Sequence, residues 1–140
     1  MSHYIDPTKE QFATFRGMAR PGPIHMLNLV RLRERAAYPD GRDASGLDAY
    51  RAYARASGPV FARVGGRQHW IGRFEQVLIG PSTERWDIVF IAEYPSVDAF
   101  VEMLRDDAYR EAVKHRQAAV EDSRLIRLEP RSPGAHFGEA

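Results

Sequence analysis

The stretch Trp86-Asp87-Ile88-Val89-Phe90-Ile91-Ala92-Glu93-Tyr94 decides how this chain folds. At a period of two, Trp86, Ile88, Phe90, Ala92 and Tyr94 share one face, while Val89 and Ile91 lie on the other between Asp87 and Glu93. A strand with one wet face alternates apolar and polar residues; here the middle of the second face is apolar too. The strand is therefore expected inside a sheet that is covered on both sides.

Working outward towards the C-terminus, Pro95-Ser96 ends the strand and Ser96 caps a helix that turns Phe100, Met103 and Leu104 inward. A second helical piece from Ala108 to Glu121 carries a stripe of Tyr109, Ala112, Val113, Arg116 and Val120. Ser123 to Glu129 is the last strand, and 130–140 is a tail. Towards the N-terminus, Gln68 to Gly80 predicts a strand or bent pair of strands, with Gly72 as the candidate bulge. Before it, Leu47, Tyr50, Tyr53, Ala54, Phe61 and Val64 have helical spacing; Gly58-Pro59 predicts a kink or an end, and Gly65-Gly66 a C-cap. Residues 33–45 hold Pro39 and Asp40-Gly41 and predict a long loop or lid. Ile24 to Arg31 is a strand, and 1–20 contain a leading helix with Asp6 as N-cap and Pro7 at its first position.

With that leading helix set aside, the order is βαββαβ. This is an α+β domain of the ferredoxin-like, split-βαβ kind, an antiparallel sheet with both helices on one face. The whole of 1–140 reads as a single domain, a common size for one core. The free face, on which Val89 and Ile91 are joined by Ile71, Val77 and Ile79, calls for a cover. A homodimer pressing sheet on sheet supplies one, and a cavity is expected between sheet and helices.

Composition narrows the chemistry. No cysteine is present, which removes disulfides, thiolate catalysis and sulfur-ligated metals. The 20 Lys+Arg and 19 Asp+Glu are spread along the chain, so a clustered nucleic-acid footprint is not expected. Nothing resembles a signal peptide or a membrane span, and a cytoplasmic location with no membrane partner is the expectation. Only Lys9 and Lys114 are lysines. Arginine makes the better bidentate partner for carboxylates, which favours internal ion pairs, although a genome-wide codon bias gives the same composition.

The stretch His25-Met26-Leu27-Asn28-Leu29-Val30-Arg31, the helix start Gly46-x-x-Ala49-Tyr50-x-x-Tyr53, Gly65-Gly66, Trp86-Asp87 leading a strand that ends Tyr94-Pro95-Ser96, and the helix from Tyr109 to His115-Arg116 together resemble the bacterial domain of unknown function numbered 1330. The resemblance runs from about Tyr4 to Glu129. It implies a dimeric α+β barrel, in a superfamily that includes cofactor-free monooxygenases, muconolactone-type isomerases, haem enzymes and proteins with no known activity. It implies no reaction and no catalytic residue for this chain.

Six residues are candidates for ligand binding: Asn28, Tyr50, Tyr53, Trp70, Tyr109 and Arg116. Arg116 lies in an apolar stripe where an unpaired charge costs several kcal/mol. It is expected either to pair with Asp87 or Glu93, or to snorkel, or to hold the carboxylate or enolate oxygen of a ligand. Asn28 interrupts an apolar strand, and its amide could orient a carbonyl or tie down the loop at 33–45. The aromatic residues are core, or the walls of a flat apolar pocket.

The five histidines show no metal-ligand spacing, so no metal and no cofactor are expected. His69 is the first candidate for proton transfer, His25 a second, and either can be a half-exposed strand residue. The functional expectation is a homodimeric protein that binds a small organic acid, with cofactor-independent monooxygenase- or isomerase-like chemistry. The alternative is a non-catalytic dimerisation or stress-associated module.

Overall fold

A computed structural model describes residues 3–134 and 136–139; the ends of the predicted leading segment and tail, Met1, Ser2 and Ala140, and also Ala135, lie outside the described residues. The sheet contains β1 (Ile24–Leu32), β2 (Arg67–Gly72), β3 (Ile88–Tyr94) and β4 (Val120–Leu128) in the order β2-β3-β1-β4, all neighbours antiparallel. Helices α1 (Lys9–Gly17), α2 (Gly46–Arg63), α3 (Val97–Arg105) and α4 (Asp107–Ala119) complete the ferredoxin-like α+β fold. No helix among the described residues is long and apolar enough to cross a membrane.

The register of the inner strands divides the sheet. Ile24, Met26, Asn28 and Val30 stand opposite Tyr94, Ala92, Phe90 and Ile88, on the side that faces the helices. His25, Leu27 and Leu29 stand opposite Glu93, Ile91 and Val89 on the free side. The core forms two clusters on the helix side. One gathers Ile24, Met26, Val60, Tyr94, Phe100 and Met103; the other gathers Val30, Leu32, Ala49, Tyr50, Ala119 and Val120.

Three local expectations need correction. First, β2 stops at Gly72, and its irregularity falls between Gln68 and Trp70 rather than at Gly72. The extra residue shifts the alternation, so Trp70 joins Ile91 on the free side and Ile71 stands opposite Phe90 on the helix side. Val77 and Ile79 lie in no strand, and Ile79 is 94% exposed. The free face is therefore Leu27, Leu29, Val89, Ile91, Trp70, Ile126 and Leu128, the last two by their pairing with Leu27 and His25.

Second, Thr8 and not Asp6 caps α1. The Gln11 N–H donates to Thr8 Oγ1 at 3.0 Å and the Thr8 N–H to Gln11 Oε1 at 3.2 Å, a reciprocal capping box that Asp6-Pro7 cannot form. Third, of the two outcomes expected at Gly58-Pro59 the end does not occur: α2 continues through Pro59, which removes one donor from the ladder. The helix ends at Arg63, and Gly65, with a φ of +88°, follows the cap and lets the Gly66 N–H reach Phe61 O at 2.8 Å and the Gly65 N–H reach Ala62 O at 3.0 Å.

Residues 33–45 form a pinned loop rather than a free lid. The Arg33 and Ala37 N–H groups donate to Ala119 O and Ala118 O at 2.9 and 2.8 Å, and Tyr38 Oη meets His115 Nδ1 at 2.6 Å. The N-terminal segment is pinned as well. The Tyr4 N–H donates to Asp122 Oδ1 at 2.8 Å, Ser123 Oγ donates to Tyr4 O at 2.7 Å, and Arg116 donates to Ile5 O and to Ser123 Oγ.

Two glycines of α2 should respond oppositely to the same change. A Cβ on Gly46 would lie 1.9 Å from the Arg33 carbonyl oxygen, so Gly46→Ala is expected to cost about 2–3 kcal/mol by overpacking. A Cβ on Gly58 meets nothing within 4 Å, so Gly58→Ala should stabilise by about 0.5–1 kcal/mol. Denaturant unfolding measures both.

The N-terminal strap should carry an acid signature. Burial raises the Asp122 carboxyl, but the Tyr4 N–H, Arg124 and the Ser123 N–H together hold it below its ordinary 3.8, with Arg31 a further 3.8 Å away. A lowered carboxyl stabilises fully above that ordinary value and ceases to do so as pH falls through the lowered one. The difference in melting temperature between wild type and Asp122→Asn should therefore be constant near neutrality and shrink to nothing in strong acid.

Candidate functional site

The helix-facing side of the sheet collects most of the residues that the sequence singled out. Asn28 sits on β1 between Met26 of one core cluster and Val30 of the other, and its amide donates to Met26 O at 3.0 Å. Tyr53 packs against both clusters. Spacings of three on α2 and seven on α4 direct Tyr50 and Tyr53, and Tyr109 and Arg116, to the space between those helices. The Tyr50 and Tyr53 rings are 5.4 Å apart and those of Tyr53 and Tyr109 6.1 Å, with the last two hydroxyls 2.9 Å from each other.

The phenols of Tyr50 and Tyr109 are donors. Burial, then the neighbouring tyrosines, push the hydroxyls of Tyr50 and Tyr109 well above their ordinary value of 10, and nearby Arg116 pulls each only partly back. Neutral phenol and guanidinium groups can stabilise an oxygen that carries negative charge; they cannot take a proton from a substrate.

Arg116 is not paired with either predicted carboxylate. Asp87 accepts from the Leu32 N–H at 2.7 Å and from Arg85 at 2.6 Å, while Glu93 faces the other side of the sheet. The two bonds that Arg116 makes go to the N-terminal strap and the start of β4, so part of its role is to close that corner. Leu125, opposite Asn28 in the register and so on the same side, is 44% exposed.

His69 and Trp70 are not brought to this place. Trp70 pairs with Ile91 on the free face, and the His69 ring lies 4.4 Å from that of His25, which also points there. The bulge explains both, because it turns two successive side chains to one side. At that spot the structure assembles a group with no signature in the sequence: His25 Nε2 is 2.8 Å from Glu93 Oε1, and Arg67 Nε donates to Glu93 Oε2 at 2.7 Å. Four residues from three strands have no local spacing to recognise. Only the pairing of His25 and Arg67 with Glu93 could have revealed them.

Surface depressions occur elsewhere, one of about 500 Å3 lined by Asp98, Val101, Glu102, Arg105 and Asp106, and one of about 240 Å3 between Met18, Arg20 and Arg127. Neither includes a predicted site residue.

Comparison with known proteins agrees with this architecture. A protein of unknown function from Rhodopseudomonas palustris is 70% identical, with a match covering 94% of this chain and 100% of that one at a TM-score of 0.92. Its methylated form is 71% identical, covering 96% and 99%, at a TM-score of 0.94. SnoaB, a cofactor-independent oxygenase from Streptomyces nogalater, shares the fold at 16% identity, covering 82% of this chain and 99% of that one, with a TM-score of 0.51. No curated protein is similar to the chain. The family model described as domain of unknown function DUF1330 matches residues 43–128, more than half of the sequence, and the chain belongs to that family.

Proposed function

We propose that the protein is a homodimer that binds a small apolar or aromatic organic acid on the helix-facing side of each sheet, with cofactor-independent chemistry of the monooxygenase or isomerase type. One observation carries this reading: the rings of Tyr50, Tyr53 and Tyr109 stand in series with Arg116 close by, on the side of the sheet that Asn28 faces. In this reading Arg116 and the tyrosyl hydroxyls hold the anion, Asn28 bonds a carbonyl oxygen, and the rings supply the apolar walls. His69 is left without a part in that reaction, since it lies on the far face. Proton transfer would then fall to the substrate itself or to water.

The homodimer rests on the free face. Leu27, Leu29, Val89, Ile91, Trp70, Ile126 and Leu128 form an apolar patch of the kind a second copy covers, with two-fold related sheets stacked against each other. A second reading is favoured by the bonds of Arg116, which bind its own chain: the module dimerises and takes no ligand.

Native mass spectrometry of freshly purified protein, followed by titration with 2-naphthoate, separates the two. Binding should be saturable, and Asn28→Ala and Tyr53→Phe should each weaken it about tenfold, the worth of one hydrogen bond to a charged partner, with folding intact. A protein that carries no co-purified mass and does not bind the probe at all would favour the non-catalytic module.

The dimer has its own measurement. Ile91→Asp places a charge at the centre of the free face and should convert a dimer into a monomer in light scattering. A wild-type protein that is monomeric at high concentration would rule out the stacked sheets.

A further inference from the structure

The geometry points to a divalent transition-metal site on the free face of the sheet, formed by His25, His69 and Glu93. One donor atom from each of these residues lies within 4.8 Å of the others. Zinc-type ions hold imidazole and carboxylate donors at about 2.0–2.2 Å, which sets neighbouring donors about 3.4 Å apart in a tetrahedron. The 2.8 Å between His25 Nε2 and Glu93 Oε1 therefore has to open by about half an ångström, and His69, within 4.8 Å of both, has to draw in, changes that side-chain rotation supplies.

Three features support the assignment beyond proximity. Two of the ligands come from β1 and β3, whose pairing is continuous and stands His25 directly opposite Glu93, and the third sits at the bulge of β2. The bulge before Trp70 places His69 over His25, and His69 has no hydrogen-bond partner among the described residues, which leaves its ring nitrogens available. Arg67 grips the second oxygen of Glu93, leaving Oε1 directed at His25; an outer hydrogen bond of this kind orients carboxylate ligands in metal sites.

Two imidazoles and one carboxylate make a three-donor set, which leaves a fourth position for water or a small oxygen ligand. The residues stand at one end of the apolar free face, where β1 begins and β3 ends, and on the opposite side of the sheet from Asn28. The inference is thus independent of the organic-acid reading.

Full-length, tag-free protein stripped with EDTA and titrated with ZnCl2 in a calorimeter should bind one ion per chain. Replacing zinc with Co2+ should produce the visible bands of a tetrahedral site. His69→Ala and Glu93→Gln, checked for folding by circular dichroism, should each weaken zinc at least about tenfold, and Asn28→Ala should leave it unchanged. Failure of zinc to saturate the wild type would overturn the site. So would unaltered binding in both variants, which would move the ion to the terminal His3 or His136.

Discussion

The pairing of β1 with β3 is the interaction on which the remainder of the structure depends. Both strands are interior, so each has neighbours on both edges and side chains on both faces. Their register places Met26 against Ala92 on one side and Leu27 against Ile91 on the other. A slip of one residue would exchange the two sets and bring His25 and Glu93 into the helix-packed core, where an ion pair must be desolvated. The alternation is thus held by the cost of misplacing charge as well as by apolar burial.

That register separates two groups of polar residues. On the helix side, β1 turns Asn28 towards the layer that holds the tyrosines, and burial keeps the hydroxyls of Tyr50 and Tyr109 protonated. On the free side, carboxylate, imidazole and guanidinium groups gather at the rim of an apolar surface. The sheet separates them, and a residue's parity decides which group it joins. His69 shows how fine that decision is. A single inserted residue in an edge strand moves its ring to His25 and takes it away from Asn28.

Arg116 occupies an intermediate place. Its charge in the apolar stripe of α4 is satisfied by a backbone carbonyl from the N-terminal strap and by a hydroxyl at the start of β4, an arrangement that draws distant parts of the chain to one corner. The same guanidinium acts on the hydroxyls of Tyr50 and Tyr109, so closing the corner and tuning the phenols are one interaction. The loop at 33–45 adds to this corner through Tyr38 and His115.

The sequence by itself determined the fold class, the order of strands and helices, the caps at Ser96 and Gly65-Gly66, and the need to cover a second face of β3. Periodicity and capping are local, because they depend on residues within one or two turns of each other. The side of the sheet taken by Asn28 was legible for the same reason, as was the shared face of Tyr50 and Tyr53 on α2, since each element declares its inward side. Only the tertiary structure decided the location of the bulge in β2, and with it the face taken by His69, Trp70 and Ile71. It alone decided the partners of Arg116 and the meeting of His25, His69 and Glu93. A bulge answers to the neighbouring strand rather than to its own sequence, and a cross-strand cluster has no spacing along the chain. Such features exist only once pairing has set the register.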